Sequence, residues 1–339
     1  MVGLNHNIML TTYFRSSSIG TLKQCQLKYF LEYVLGFSFP AHISAWKGNI
    51  VHKGIELLAR RKIAEQKKQK TFVEDGEKYK CSEVTPDFAF KKAVEVYTTK
   101  EPERAYTQLD IDDCYAWLNR HLTEYSHWSP LERVVVTAED YFDISFDEDW
   151  AKYEFQIGND VVKGNLAIKG TMDLLYEVDE HTYEYCDIKT GKRRDFNTGL
   201  TKDFEALRED IQLMLYYYAL KHKYPDKNIF MTLLYISHGG PYPVPFDEFS
   251  IEKLKKTLAT YFNLVKNIQV PSNIKGDFKC NFCPFKTNIY KNHTTFCDFF
   301  DIETSKVGVD LVAAKYGQKN MNYGTGGGRT HNEPENGAK

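Results

Sequence analysis

Three side chains in the middle of the sequence could bind a divalent metal ion and direct a water molecule onto a phosphate. Asp187 and Lys189 lie two residues apart in the segment YEYCDIKT, and in a β-strand such residues point to the same side. Asp173 ends the segment KGTMD in the preceding predicted strand, and a turn around Asp179–His181 would bring the two strands together. Two neighbouring carboxylates repel unless a cation lies between them, and carboxylate oxygens are ligands that Mg²⁺ and Mn²⁺ prefer. The alternative is an ordinary ion pair on a solvated strand face.

Further residues could complete such a site. Gly170 and Gly191 allow close approach of the backbone and a sharp turn beside the two acids. Gln212 and Tyr216 lie four residues apart on a predicted helix, so an amide and a phenol share one face. His52 lies near the start of another predicted helix, in GNIVHKGIE. Each also has an ordinary interpretation: Tyr216 as core packing and His52 as a structural histidine.

The elements that must position these residues follow from hydrophobic periodicity and turn residues. Helices are predicted at about residues 19–34, at 46–70 and within 86–128, with a loop at 71–85. Short β-rich segments then predict a meander of strands within 133–190, followed by a helix, a buried strand and another helix. The fold class is therefore α/β, with a central mixed sheet flanked by helices and a helical N-terminal insertion.

This pattern suggests how the chain is organised. We expect an N-terminal helical region over residues 1–132, a core over 133–270 and a cysteine-rich segment over 271–300. Residues 317–339 are rich in Gly, Asn and Thr without periodicity, and we expect a disordered tail there.

Composition and hydropathy indicate where the protein is located, but they do not indicate its activity. The net charge of −2 neither supports nor excludes nucleic acid as a partner, because a local basic groove suffices. No run of eighteen apolar residues predicts a membrane span, and the N-terminus does not have the pattern of a signal peptide. We therefore expect a cytoplasmic protein with no membrane partner, whose seven cysteines are reduced.

The cysteines near the C-terminus have the spacing of a metal site. Cys280 and Cys283 form a C-x-x-C pair, and Cys297 follows. A closed site needs a fourth ligand, and Cys25 lies far away near the other terminus. Zn²⁺ is one candidate, with His293 replacing one cysteine.

In this order, GTMDLL, DIKTG and QLMLYYYAL resemble the motifs G-x-x-D, (D/E)-x-K and Q-x-x-x-Y of the PD-(D/E)XK nuclease superfamily. The resemblance is greatest to the RecB-type nuclease domain, which includes the CRISPR-associated adaptation nucleases. WKGNIVHKGIE resembles the family's helix with a metal-binding histidine, and SSIGTLKQCQLKYFLEYV resembles its N-terminal segment. The resemblance covers residues 17–297 and implies a restriction-endonuclease-like core.

The resemblance also implies residue roles. His52, Asp173 and Asp187 would bind Mg²⁺ or Mn²⁺, together with the backbone carbonyl of Ile188. Lys189 would position the attacking water. Gln212 and Tyr216 would support the site or the DNA backbone, and Glu139 is a weaker candidate for a supporting acid, equally well explained as an exposed strand residue.

For the cysteines, the resemblance implies a 4Fe–4S cluster held by Cys25, Cys280, Cys283 and Cys297. The gap between Cys283 and Cys297 is longer than the family's usual spacing, which keeps zinc as the alternative.

The activity predicted in this way is that of a metal-dependent deoxyribonuclease, an exonuclease acting on single-stranded DNA or on duplex ends. Lys192, Arg193 and Arg194 follow the D-x-K strand and could contact phosphates, whereas the run Lys67–Lys70 is as well explained by a solvated surface. No helicase P-loop is present in the sequence, so unwinding would need a helicase or a recombination or adaptation partner. DNA repair, recombination and viral DNA processing are compatible settings. The alternatives are a catalytically inactive DNA-binding or scaffold module, an RNA-directed nuclease, and a different class of metal hydrolase.

Overall fold

The structure, a computed structural model, describes residues 11–157, 160–194 and 199–317. The chain divides into two compact units. The first comprises residues 1–39, 144–169 and 256–339, and the second comprises residues 40–143 and 170–255. The tail predicted for residues 317–339 lies outside the described residues from 318 onward. The domain boundaries proposed from the sequence stay a prediction.

The single helix predicted for residues 19–34 is wrong, because the chain breaks at Cys25. Helix α1 spans Ser16–Gln24 and α2 spans Gln26–Tyr29, with a π-helical turn at Phe30–Val34. Cys25 is extended, with φ −161° and ψ 116°, and its sulfur accepts the amide of Lys28. The cysteine therefore ends one helix and caps the next, which turns its thiol away from a regular helical position.

Three helices begin the second unit, as the periodicity predicts. They are α3 at Ile43–Gln66, α4 at Pro86–Lys100 and α5 at Gln108–Thr123. The loop predicted for residues 71–85 is wrong, since strands β2 (Thr71–Glu74) and β3 (Glu77–Lys80) form a hairpin there. Asp75 and Gly76 both have positive φ in the two-residue turn, which is the Asp-Gly chemistry of a tight hairpin.

The main sheet carries the motif residues. Its strands are β4 (Val134–Ser145), β7 (Ala167–Asp179), β8 (Thr182–Lys189), β9 (Asn228–Tyr235) and β10 (Gly240–Val244), joined by β1 (Tyr13–Phe14). The order is β1-β7-β8-β9-β10, with β4 paired to β7. Strands β7 and β8 are antiparallel and turn where predicted, with Asp179 opposite Thr182.

The sheet is mixed because β8 and β9 are parallel, and the chain returns between them through α6 (Phe204–Arg208) and α7 (Ile211–Lys223). Within the second unit, residues of α3, α4 and α5 pack with Cys186 and Ile188 of β8 in one hydrophobic core. The predicted fold class, a central mixed sheet flanked by helices, is confirmed.

The first unit contains most of the remaining elements. Strands β5 (Lys152–Ile157) and β6 (Asp160–Asn165) form a separate hairpin. Helix α8 spans Glu248–Asn267, and the remaining elements are α9 (Pro284–Thr287), β11 (Ile289–Lys291), β12 (Thr294–Thr295) and α10 (Phe296–Tyr316). Aromatic rings of Phe37, Tyr290, Phe296 and Phe300 pack together there. Among the described residues, no helix is both long and apolar enough to span a bilayer.

Candidate active site

The site is at the point where β7 and β8 separate. Their ladder has Leu174 opposite Cys186, and the next pair would be Asp173 opposite Asp187. Instead, the carboxylate of Asp173 accepts the backbone amide of Ile188 at 2.7 Å. A side chain thus replaces a ladder hydrogen bond, and the two strands carry their acids into a common space.

Asp187 and Lys189 form an ion pair in which the carboxylate is buried and the lysine is half-buried. Lys189 Nζ lies 2.6 Å from Asp187 Oδ2, and only 1% of Asp187 is exposed. Burial raises the pKa of Asp187 to about 6; Lys189 opposes this rise and Asp173 adds to it. Burial alone would lower the pKa of Lys189, but Asp187 and Asp173 raise it above its usual range, so the ammonium stays charged. The interpretation as a pair on a solvated face is therefore wrong.

Gln212 fixes the other side of the lysine. Its amide oxygen accepts Lys189 Nζ at 3.0 Å, and its NH₂ group donates to the hydroxyl of Tyr216 at 2.9 Å. An ammonium can only donate, so the amide oxygen must face Lys189 and the NH₂ must face Tyr216. Tyr216 consequently accepts this bond and keeps its own proton for another acceptor. Asp210 caps α7 by accepting the amide of Gln212 at 3.0 Å, which holds this helix start in place.

Gly170 makes room for the aromatic rings that support these groups. A Cβ atom at this position would lie 2.8 Å from the ring of Phe142 and 3.3 Å from that of Tyr216. These two rings meet edge to face, with centroids 5.9 Å apart. The glycine three residues before Asp173 is therefore required by packing at the base of the site.

Helix α3 brings His52 to the acids. His52 Nδ1 lies 3.4 Å from Asp173 Oδ1 and 3.6 Å from Glu139 Oε1. Burial would lower the pKa of His52, but Asp173 and Glu139 raise it well above its usual range. Two carboxylates thus attract positive charge to this point, whether it is a proton or a metal ion.

Ligand atoms from His52, Glu139 and Asp173 all lie within 4.8 Å of one another, and these residues could hold a metal ion. One imidazole nitrogen and two carboxylate oxygens are a donor set suited to Mn²⁺ or Mg²⁺. The structure therefore brings together two of the predicted ligands, His52 and Asp173, and adds Glu139. The oxygens of Asp187 contact Lys189 and Tyr185 instead. Metal binding by Asp187 and by the Ile188 carbonyl stays a prediction.

Glu139 was only a weak candidate from the sequence, and the backbone explains why. It lies within β4 but has a φ of +45°, a left-handed conformation that non-glycine residues rarely adopt. Such a residue re-aims its side chain out of the alternating pattern of a strand. The two-residue alternation of a strand therefore predicts the wrong direction for the Glu139 side chain. The one signal in the sequence is an acidic residue within a predicted strand.

A network of charges around the buried Lys53 holds the neighbouring turn of α3. Lys53 Nζ lies 2.9 Å from Glu56, 3.2 Å from Glu74 and 2.9 Å from Asp75. Glu74 and Asp75 belong to the β2–β3 hairpin that the sequence did not reveal. The hairpin is therefore fastened to the helix that carries His52.

The basic residues after β8 are only partly available. Lys192 and Arg194 are exposed. The guanidinium of Arg193 lies 4.1 Å from the ring centroid of Tyr242 and donates to the carbonyl of Lys202. The run Lys67–Lys70 begins fifteen residues beyond His52 and thus about 22 Å along the axis of α3, given the rise of 1.5 Å per residue. That distance favours the solvated-surface interpretation of this run.

The four predicted cluster cysteines all belong to the first unit. The Cys25 sulfur lies 4.0 Å from the carbonyl of Ser272, and that of Cys280 lies 3.2 Å from the carbonyl of Ile274. Burial raises the pKa of Cys297 to about 12, and Cys25 and Cys283 add to the rise. All four are free thiols. In the described chain, no three of these sulfurs lie within 4.8 Å of one another. His293 is exposed in the β11–β12 turn.

Asp173, the Asp187–Lys189 pair and Gln212 thus lie together where β7 and β8 separate. The sequence matches the family described as the PD-(D/E)XK nuclease superfamily over residues 16–287, and the chain belongs to that superfamily. No curated protein matches.

Two solved structures are similar in part. The first is titled "Putative exonuclease" from Eubacterium rectale, with 10% identity, a TM-score of 0.45, and coverage of 85% of this chain and 92% of the other. The second is SSO0001, with 14% identity, a TM-score of 0.25, and coverage of 72% and 86%. Neither similarity carries an argument about function.

Proposed function

We propose that this protein is a divalent-metal-dependent deoxyribonuclease, of the RecB-like type, that degrades DNA from single strands or duplex ends. The observation that carries the proposal is the meeting of His52, Glu139 and Asp173 beside Lys189 and the buried carboxylate of Asp187. Burying charged groups is costly, so carboxylates on an ordinary surface stay in water. Clustered, buried carboxylates are instead what a divalent ion needs as ligands. A partner helicase or recombination protein would supply unwinding.

The metal ligands would be His52, Glu139 and Asp173, with Asp187 and the Ile188 carbonyl completing the set. A bound Mg²⁺ or Mn²⁺ ion would neutralise charge that develops on the phosphate and acidify a water molecule. Lys189 has three N–H donors, of which the described chain engages two, through Asp187 and Gln212. The third would orient the attacking water or a phosphate oxygen. The charged ammonium adds electrostatic stabilisation of the transition state.

Lys192 and Arg194 would contact the DNA backbone near the site, since both are exposed just beyond β8. Tyr216 would donate its proton to a phosphate oxygen or to an ordered water, because Gln212 already donates to its oxygen. Arg193 would chiefly hold the loop, through Tyr242 and the Lys202 carbonyl. These contacts are independent of base identity, so no sequence preference is expected.

We further propose that Cys25, Cys280, Cys283 and Cys297 hold a 4Fe–4S cluster, with Zn²⁺ as the alternative. Two observations support this: Cys25 and Cys280 both contact the segment 272–274, and Cys297 lies close enough to Cys25 and Cys283 for them to raise its pKa. The break of the helix at Cys25 frees its thiol for such a role. A cluster would join the two chain ends within the first unit.

The decisive experiment uses protein purified without oxygen and end-labelled or circular DNA and RNA, with Mn²⁺ or Mg²⁺. We expect the wild type to cleave linear DNA and to leave circular DNA intact. The rate of DNA cleavage by Lys189→Ala should be at least about a hundredfold lower. Lys306→Ala, an exposed lysine of α10, is the matched control and should cleave normally. No DNA cleavage by the wild type, or equal cleavage by Lys189→Ala, would refute the proposal. Binding without cleavage would support the inactive module, and cleavage of RNA alone the RNA-directed nuclease.

A further inference from the structure

Tyr185 lies between the two strand acids and was not part of any motif. It is two residues before Asp187 on β8, so both side chains lie on the same side of the strand. Its side chain is fully buried. The hydroxyl lies 3.2 Å from Asp187 Oδ1 and 3.4 Å from the backbone nitrogen of Asp173. One phenol therefore contacts both acid-bearing positions where the strands separate.

The direction of these contacts follows from the donors present. The Asp173 amide can only donate, so the phenol oxygen accepts from it. The phenol proton then points to Asp187 Oδ1, while Lys189 holds Oδ2 of the same carboxylate at 2.6 Å. Tyr185 therefore holds one oxygen of Asp187 and Lys189 holds the other. These two contacts fix the rotamer of Asp187 without a bound ligand.

The ring itself is held by neighbours that belong to the site. Tyr185 and Tyr216 meet edge to face, with centroids 5.3 Å apart and an interplanar angle of 73°. Tyr216 in turn is held by Phe142 and by the amide of Gln212. The hydroxyl of Tyr185 cannot move without disturbing this packing, which makes it a rigid reference point for Asp187.

We propose that Tyr185 is a positioning residue that acts through Asp187. It fixes the Asp187 carboxylate relative to Asp173, so that both can face one divalent ion. This inference rests on the proposed function, because it concerns the same metal site. The contrasting explanation is that Tyr185 only fills the core, in which case its ring matters and its hydroxyl does not.

Tyr185→Phe keeps the ring and removes the hydroxyl, so it separates the two explanations. We expect Mn²⁺ affinity, measured by the electron paramagnetic resonance of free Mn²⁺, to fall about tenfold to a hundredfold, as is typical when a partner of a ligand is lost. Tyr183→Phe is the matched control, because Tyr183 lies on the same strand but packs on Tyr224 and beneath Lys227. The Mn²⁺ affinity of Tyr183→Phe should equal that of the wild type.

A double-mutant cycle provides a readout that a packing role would not change. If Tyr185 acts through Asp187, Tyr185→Phe should change Mn²⁺ affinity less than twofold in an Asp187→Asn background. Additive losses, an unchanged affinity of Tyr185→Phe, or a Tyr185→Phe protein that no longer folds would each overturn the inference. A wild type that binds no Mn²⁺ would overturn both proposals. A wild type that binds Mn²⁺ and shows the predicted cycle but cleaves no DNA would refute the proposed function alone.

Discussion

The carboxylate of Asp173 and the backbone amide of Ile188 are joined by a hydrogen bond of 2.7 Å. This bond replaces the strand pairing that would otherwise continue from Leu174 and Cys186. The pairing of the two strands therefore ends where the side chains of Asp173 and Asp187 come together. The same bond fixes Asp173 beside the D-x-K strand independently of any metal ion.

Glu139→Gln tests the acid that the backbone strain directs to His52. The substitution keeps the shape of the side chain but removes the negative charge. We expect Mn²⁺ affinity, measured by isothermal titration calorimetry, to fall at least about tenfold, since a charged ligand becomes a neutral one. Glu177→Gln, an exposed carboxylate on β7, should bind Mn²⁺ as the wild type does. Equal affinities of the two variants would remove Glu139 from the ligand set.

Gly170→Ala tests the packing beneath the site. Its Cβ would lie 2.8 Å from the Phe142 ring, so the ring must move. We expect a loss of about 1–3 kcal/mol in the free energy of unfolding, measured with urea, together with lower activity. Phe142→Leu in the same chain should restore part of both. Gly191→Ala has open space around its Cβ and serves as the control. A stable and fully active Gly170→Ala protein would show that the contact is not tight.

Glu184 gives a pH-dependent contribution to stability away from the candidate metal site. Burial would raise the pKa of Glu184, but hydrogen bonds from Arg133, Thr232 and Trp128 lower it below its usual range. A lowered folded-state pKa stabilises the protein above the unfolded value of about 4.3, and the effect disappears as the pH falls through the folded-state pKa.

We therefore expect Glu184→Gln to lower the free energy of unfolding by about 2–3 kcal/mol at pH 7, because the buried Arg133 loses its carboxylate. The difference from wild type should shrink below about pH 4. Urea unfolding at several pH values measures this, with the exposed Glu252→Gln as control. A difference that stays constant down to pH 3 would contradict the argument.

Cys280→Ser tests the cluster proposal. Loss of one ligand should lower the iron content and the visible absorbance of protein purified without oxygen, and it should lower the midpoint of thermal unfolding. The Cys81→Ser protein should have the same iron content as the wild type, because Cys81 lies in the second unit beside the Gln69 carbonyl. A Cys280→Ser protein with unchanged metal content and melting midpoint would refute the proposal. Stoichiometric zinc in the wild type would favour the zinc alternative.

Much of the site was predictable because it lies on one hairpin. Asp173, Asp187 and Lys189 follow each other within 17 residues, and the turn at Asp179–His181 is encoded locally. The alternation of β8 placed Asp187 opposite the buried neighbours Cys186 and Ile188. Spacing on α7 likewise placed Gln212 and Tyr216 on one face, where they are hydrogen-bonded.

Other features depend on contacts that no local pattern contains. The left-handed backbone of Glu139 interrupts the alternation of its strand. Its side chain therefore contacts His52, which the alternation does not predict. The break at Cys25 occurs inside a run with ordinary helical spacing. Tyr185 appears as one more aromatic residue in a strand, and only the separation of β7 from β8 shows why its hydroxyl matters. The Asp75–Gly76 turn is different, because Asp-Gly is a local hairpin signal that the predicted loop at residues 71–85 does not take into account.

The left-handed conformation of Glu139 has a consequence for how this position can vary. A non-glycine residue at φ +45° carries a conformational penalty of order 1–3 kcal/mol, and glycine would relieve much of it. Glycine would also delete the carboxylate beside His52. Stability and the proposed metal affinity therefore make opposite demands on residue 139, because glycine would improve the first and abolish the second.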